Sequence, residues 1–422
     1  MAEKKVLAIV YACNPYRGSE EGVGWGWVNM IARSNEVWAI VADYHRNDIE
    51  RYVREHPAEC RRLHFCYVEH RPCHYEPSGW WLKIESSFLK PLMNIAYHLW
   101  QKDAYHLAQT LQQQVGFDLC HLITYVGFRF PGKFWKLDIP FVWGPIGGLE
   151  NTPWRLLPAM GLYGMVFYTV RNVINSVQRV LLPGPKKAFA KAGTGVIAAT
   201  EGMRKEINRW YGIDARVICE IGSPEGSADG ICEREAGQEL IIVWSGLFLP
   251  RKALPLLLKA LARLGSNVGW RLKVLGDGPC RQDWERLAAS LGLADRCDWF
   301  GQLPRGEAVS IMHNSHLFVI SSLQDLTSTV ILEALSQGVP VLCPDHCGFS
   351  DVITDDCGIK IPIPDSKRFV AALGESILEL AQDESRRRLL AKGALQRASH
   401  FTWERKADQV ASLYGEIMGE NT

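Results

Sequence analysis

Ser321-Ser322-Leu323-Gln324-Asp325-Leu326-Thr327-Ser328-Thr329-Val330-Ile331-Leu332-Glu333-Ala334-Leu335-Ser336-Gln337-Gly338-Val339-Pro340-Val341 is the stretch whose reading decides the fold. Before it, the run His316-Leu317-Phe318-Val319-Ile320 has the continuous apolar character of a buried parallel strand. The Ser, Asp and Thr residues that follow form a strand-to-helix loop rich in helix-capping side chains. Val330, Leu332 and Leu335 then head a helix, Gly338-Val339-Pro340 stops it, and Val341-Leu342-Cys343 starts the next strand. Ligands of an open parallel sheet bind where strands end and helices begin, because unpaired N–H groups and the positive end of the helix dipole attract anions there. Ser328 and Thr329 stand at such a helix start.

Two carboxylates bracket that start, Asp325 in the loop and Glu333 in the helix, with seven residues between them. Taken alone, the spacing is equally that of a capping aspartate and an exposed helix glutamate. The surrounding residues decide the matter. The segment resembles the E-x7-E motif of family 4 retaining glycosyltransferases (glycosyl transferases group 1), with the helix carrying Leu332-Glu333-Ala334 and the exit Gly338-Val339-Pro340-Val341. Asp325 replaces the first glutamate of the motif and Glu333 matches the second. In that family the first acid approaches the donor sugar and the second holds the nucleotide ribose.

Composition sets the outer bounds. A chain of 422 residues with 47% hydrophobic side chains is long enough for two cores, and two domains of about 200 residues are expected. The formal net charge of +1 supplies no global field for nucleic acid, so an anionic substrate must be met by local groups. The 12 cysteines are scattered, without C-x-x-C pairs or metal-ligand spacing, and read as reduced, mostly buried thiols with no metal site. The apolar run Val6 to Ala12 suits a first buried strand better than a signal segment, and no run of 18 apolar residues occurs. The expectation is a cytoplasmic protein, with the inner face of the cytoplasmic membrane as a second placement.

In the first half, the strand Val6–Tyr11 runs into a glycine-rich loop, Cys13 to Trp27, containing Gly18, Gly22 and Gly24, and that loop leads into a helix carrying Val28, Met30 and Ile31. Glycines there let a backbone approach an anion, but the spacing is not G-x-G-x-x-G and argues against a dinucleotide oxidoreductase. The strand Asp118–Thr124 resembles the D-x-x-H strand of the family, with His121 as its candidate cleft histidine. After Phe141-Val142-Trp143 comes a backbone-exposing turn with Gly147 and Gly148. Two aromatic stretches, Trp80 to Trp100 and Trp154 to Gly184, are flanked by Lys83, Lys90, Arg155, Arg171, Arg179, Lys186 and Lys187. They suit an anionic membrane surface, or equally the core helices of an elaborated domain.

The best linker is the polar, glycine-rich stretch 223–239. Beyond it, Leu240 to Ser245 starts a second domain, followed by Gly246-Leu247-Phe248-Leu249-Pro250-Arg251-Lys252. The family pattern here is G-R-L-x-x-x-K-G; Lys252 matches its lysine, Leu247 stands in its arginine's place, and Arg251 either supplies the lost charge or is a solvated surface residue. Gly276-Asp277-Gly278-Pro279 and Phe300-Gly301-Gln302-Leu303 resemble the loops that shape the family's nucleotide pocket. A last helix begins near Phe401-Thr402-Trp403-Glu404.

The resemblance implies an α/β protein of GT-B fold: an N-terminal acceptor domain over 1–222, a linker over 223–239, a donor domain over 240–400, and a C-terminal helix, 401–422, crossing back to the first domain. The two Rossmann-like domains are expected to face each other across a cleft. It implies a metal-independent, retaining hexosyltransferase using a nucleotide-diphosphate sugar and no other cofactor, with a glycan acceptor, lipid-linked in one reading, in cell-surface polysaccharide synthesis. Lys252, Asp325 and His121 are the expected catalytic residues. The donor would meet Arg251, Gly276, Gly278, Gly301, Leu303, Thr327, Ser328, Thr329 and Glu333, and the acceptor the loops of Gly18, Gly22, Gly24, Gly147 and Gly148. A sugar-nucleotide epimerase or hydrolase on the same fold, and a non-catalytic binding subunit, remain as alternatives.

Overall fold

The structure, a computed structural model, describes residues 3–70, 90–224, 230–265 and 268–420, with backbone alone for 90–94. The chain divides into two compact units: 1–150, 175–222 and 403–422 in the first, and 151–174 with 223–402 in the second. Each is built on an all-parallel sheet with the strand order of a Rossmann-like domain.

The first sheet holds β1 (Lys5–Val10), β2 (Glu36–Ala42), β3 (Leu63–Val68), β4 (Leu119–Thr124), β5 (Phe141–Ile146), β6 (Val196–Ala198) and β7 (Arg216–Val217), in the order β3-β2-β1-β4-β5-β6-β7. Its helices are α1 (Ser19–Ala32), α2 (Arg46–Glu55), α3 (Lys90–Val115), α4 (Gly161–Leu181), α5 (Pro183–Ala192) and α6 (Glu201–Tyr211), of which α4 begins among the residues of the second unit. Strands β1, β4 and β5 are buried on both faces, which is why they read as unbroken apolar runs rather than as alternation.

In the second sheet the order is β10-β9-β8-β11-β12-β13. Its elements run β8 (Leu240–Ser245), α7 (Leu254–Leu261), β9 (Trp270–Leu275), α8 (Arg281–Ser290), β10 (Cys297–Gly301), α9 (Arg305–His313), β11 (Leu317–Val319), α10 (Thr329–Ser336), β12 (Val341–Pro344), α11 (Phe349–Val352), β13 (Gly358–Ile361), α12 (Ser366–Gln382) and α13 (Glu384–Ala398). The strand-helix-strand reading of 316–343 is therefore the segment β11-α10-β12. Asp365 and Asp383 start α12 and α13 by accepting from the N–H groups of Arg368 and Arg386, a local device that needs only the right side chain before the first turn.

The last helix, α14 (Trp403–Ile417), returns to the first unit. Trp403 lies so close over Gly26 of α1 and over Gly222 that a Cβ at either would collide with its ring, and Lys406 donates to the Cys219 carbonyl at 2.7 Å. No described helix is long and apolar enough to cross a membrane.

Three boundaries differ from the sequence reading. Residues 151–174 belong with the second unit, because Leu156, Leu157, Met160 and Tyr168 join the core of Trp244, Phe248, Leu254 and Trp284. The expected linker 223–239 also counts with that unit where it is described; Arg387 of α13 donates to the Cys232 carbonyl at 2.8 Å, and Arg234 pairs with Glu384. Helix α1 starts at Ser19, so Gly22 and Gly24 are helical glycines rather than loop ones. Gly24 is there for packing: a Cβ would run into the Ala12 carbonyl oxygen at the end of β1.

Candidate active site

In each sheet one pair of neighbouring strands sends its crossovers in opposite directions, β1 and β4 in the first and β8 and β11 in the second. The loops leaving such a pair diverge and open a crevice at the carboxyl ends of the strands. In the second unit those loops are 246–253 and 320–328. They are stitched to each other: the Leu323 N–H donates to the Arg251 carbonyl at 2.8 Å, and Ser321 Oγ donates to the Lys252 carbonyl at 2.9 Å.

Stitching brings three charged side chains together across 73 positions of sequence. Lys252, in a single 3-10 turn, forms a charge-assisted hydrogen bond through Nζ to Asp325 Oδ2. Arg251 Nη1 stands 3.3 Å from Asp325 Oδ1 and donates to the Gln324 carbonyl at 3.2 Å. Arg251 is thus part of the cluster and not a solvated surface residue. Burial opposes ionisation of Asp325, but the charges of Lys252 and Arg251 outweigh it and hold the carboxyl below its ordinary range. Leu247, in the place of the family's arginine, projects toward solvent.

Beyond Asp325 the chain reaches Ser328, whose φ of 78° is unusual for a residue with a side chain and whose hydroxyl does not cap α10. Thr327 is buried and Thr329 opens the helix. One turn on, Glu333 is nearly buried and accepts at 2.8 Å from Nε of Arg305, itself 68% exposed. Arg305 did not emerge from the sequence; it sits just past Leu303-Pro304, and nothing local marks it as the partner of a residue 28 positions away. Gly276 and Gly278 have φ of 113° and 153°, and a Cβ on Gly276 would strike the Gly246 carbonyl oxygen, so the turn after β9 closes directly on the turn after β8. Gly301 lies alongside, accepting from the Gly276 N–H at 2.8 Å, with half-buried Leu303 two residues on.

The first unit delivers different chemistry at its β1/β4 crevice. Tyr11 packs edge-on against Tyr44, Tyr97, Tyr125 and Trp100, and its hydroxyl lies 3.0 Å from His70 Nδ1. Glu20, in the first turn of α1, accepts the Val126 N–H at 2.8 Å; burial pushes its carboxyl up to about 7, with the Val126 bond opposing. Glu21 stands 3.9 Å from buried His45 Nε2, whose ring is pulled down to about 4 by burial. The sequence reading took this segment for its glycines and passed over Glu20-Glu21, although acids in a first helical turn are a legible signal. Gly18 precedes α1, and Gly147 pairs with Gly127 in an isolated parallel bridge beside Gly148.

His121 is not at this crevice in any usable sense. It is fully buried in mid-strand, Nε2 donating to the Gly144 carbonyl at 2.9 Å and Nδ1 accepting from Tyr414 of α14 at 2.7 Å. Burial lowers its pKa to about 4, so the ring is neutral near pH 7. The expected catalytic role is corrected to a structural one: His121 pins the returning helix to the sheet. Among the described residues no group of three or more His, Cys, Asp and Glu side chains is arranged to hold a metal ion.

Residues 232–397 match the family model described as "Glycosyl transferases group 1". Over 224 residues the chain is 25% identical to a D-inositol 3-phosphate glycosyltransferase of Salinispora tropica, covering 50% of this chain and 46% of that one. The chain thus spans about half the length of the curated relatives it matches. Among solved structures, sucrose-phosphate synthase from Thermosynechococcus elongatus superposes with a TM-score of 0.65 at 17% identity, covering 99% of this chain and 100% of that one. Anabaena Alr3699/HepE in complex with UDP superposes with a TM-score of 0.61 at 14% identity, covering 98% and 100%.

Proposed function

Starting from a GT-B protein whose second unit carries the glycosyl transferases group 1 domain, we propose that this chain transfers a sugar from a nucleoside diphosphate donor to a glycan acceptor, with retention of configuration and without an essential metal. The observation that carries this reading is the convergence of Arg251, Lys252 and Asp325 at the β8/β11 crevice beside the start of α10. A departing nucleoside diphosphate gathers negative charge in the transition state, and cations already fixed in place stabilise that charge without reorganising. Lys252 and Arg251 hold the diphosphate, and the N–H groups at Ser328 and Thr329, with Thr327 behind them, meet phosphate or sugar oxygens. Asp325 orients the two cations and accepts from donor hydroxyls. Glu333 binds the ribose after Arg305 has swung away, and Gly276, Gly278, Gly301 and Leu303 wall the nucleotide.

Retention then needs no enzyme nucleophile. The acceptor hydroxyl attacks from the face the diphosphate leaves and gives its proton to a departing phosphate oxygen, so the protein's task is positioning and charge stabilisation. Glu20, Glu21 and the tyrosines at the β1/β4 crevice supply the carboxylate and aromatic faces that a polyhydroxylated acceptor requires. UDP in the Anabaena structure makes a uridine diphosphate sugar the first donor to try.

The test is transfer from a panel of radiolabelled nucleotide sugars to soluble and lipid-linked glycans, with and without a chelator. Product that forms with chelator present supports the reading. Free sugar released without any acceptor dependence would favour the hydrolase on the same fold instead, and a requirement for added manganese or magnesium would overturn the metal-independent mechanism.

A further inference from the structure

Helix α4 is built inside out. Its exposed side chains are Leu162, Tyr163, Val166, Val170, Val173, Ile174, Val177, Val180 and Leu181, all apolar, with between 47% and 76% of each accessible. They recur at three- and four-residue spacing along 21 residues, a stripe about 30 Å long on one face. The opposite, buried face turns polar over its second half, with Asn172, Asn175 and Arg179. Asn172 exchanges two hydrogen bonds with the Thr152 backbone at 3.0 and 2.7 Å, Asn175 donates to the Leu149 carbonyl at 2.9 Å, and Arg179 pairs with Glu206 at 2.9 Å. Those bonds fix the rotation of the helix, so the stripe cannot turn inward without stranding buried amides. Contiguous exposed apolar surface of this extent marks an interaction face.

Charge says what the face meets. From 151 to 200 the sequence holds six cations, Arg155, Arg171, Arg179, Lys186, Lys187 and Lys191, and no Asp or Glu. Arg155 and the three lysines of α5 are exposed. At its C-terminal end the stripe adjoins a groove of about 750 Å³ whose walls include Ile95, Phe130 and Leu182 together with Lys102 and Lys133. A second copy of the chain would set this patch against itself across a two-fold axis and oppose cation to cation. An anionic bilayer offers both apolar depth for the valines and negative headgroups for the lysines.

We propose that the exposed face of α4, with the exposed Lys186, Lys187 and Lys191 of the helix that follows it, docks the protein on an anionic lipid surface, the helix lying in the interface plane. This goes beyond the sugar-transfer reading and does not depend on it. Of the lysines the sequence analysis offered for such a role, Lys83 lies outside the described residues and only the backbone of Lys90 is described.

The experiment is vesicle sedimentation of the full chain with phosphatidylcholine alone and mixed with phosphatidylglycerol, at low and high salt. Wild type is expected to pellet with the mixed vesicles and to be released as salt screens the lysines. Lys186→Glu with Lys187→Glu should weaken partitioning roughly thirtyfold. Val173→Gln with Val177→Gln, both exposed and so free of a folding role, should weaken it about tenfold. Both double variants should keep the wild-type melting temperature and UDP affinity, which separates failure here from failure of the donor site. Wild-type protein that stays in the supernatant with every lipid overturns the proposal. So does a valine variant that pellets like wild type, or light scattering that shows a dimer the valine pair dissolves.

Discussion

The two crevices of this chain come from one topology and hold opposite chemistry. At β8/β11 the loops deliver Arg251, Lys252 and Asp325, tied to one another by charge. At β1/β4 they deliver tyrosines and the acids Glu20 and Glu21, in surroundings that push one carboxyl up to about 7. The sheet order fixes where a ligand can sit; the loop side chains fix which ligand it is. A cationic crevice suits a diphosphate, and a carboxylate-aromatic one suits hydroxyl groups.

Removing a cation should separate the two most sharply. Lys252→Ala is expected to lower kcat/KM by roughly a hundredfold, since one lost contact to a developing anion costs about 3 kcal/mol, with the melting curve still cooperative. The next effect is on stability. His121→Ala leaves the Tyr414 hydroxyl and the Gly144 carbonyl without their partner and opens a cavity, so thermal unfolding should show a loss of about 2–3 kcal/mol. The folded variant should keep the wild-type rate of the proposed transfer; a folded His121→Ala protein with kcat reduced a hundredfold would return the histidine to catalysis.

Why the sequence misplaced that histidine is instructive. The loop, helix and stop of 321–341 are local, so Ser328, Glu333 and Gly338 could be located by pattern, although the Ser328 hydroxyl does not cap the helix. Lys252 and Asp325 could be paired only through the family resemblance, being 73 residues apart. His121 lies on the right strand but in mid-strand, and only the return of α14 shows that both ring nitrogens are used. The aromatic stretch from Trp154 to Gly184 is visible in the sequence, but which side of α4 faces solvent is set by the backbone groups Asn172 and Asn175 reach, which no local pattern encodes. The same holds for 151–174, whose place in the second unit follows from Leu156, Leu157 and Tyr168 finding the core around Trp244.

Smaller effects sharpen the comparison. Glu333→Ala should raise the donor KM about tenfold, from loss of a charge-assisted hydrogen bond of about 1.5 kcal/mol, with kcat little changed. At the other crevice Glu20 has a folded pKa near 7 against an ordinary 4.5, so the folded state keeps its proton between those values when the unfolded chain has lost it. Stability contributed by this group is full below about 4.5 and is lost as pH rises toward 7. Glu20→Gln should therefore be more stable than wild type at pH 8, on the order of 1 kcal/mol, and indistinguishable at pH 4. Denaturant melts at the two pH values read this directly, and a gain at acid pH instead would reverse the sign.

Calorimetric titration of UDP and the other nucleoside diphosphates into wild type, Lys252→Ala and Asp325→Asn tests most directly the assignment of the cationic crevice to the donor. Wild type should bind one of them, Lys252→Ala at least about tenfold more weakly. Asp325→Asn should bind it more tightly, because an anion that competes with diphosphate for two cations has been removed. Equal affinity in all three proteins, or weaker binding in Asp325→Asn alone, would contradict the account.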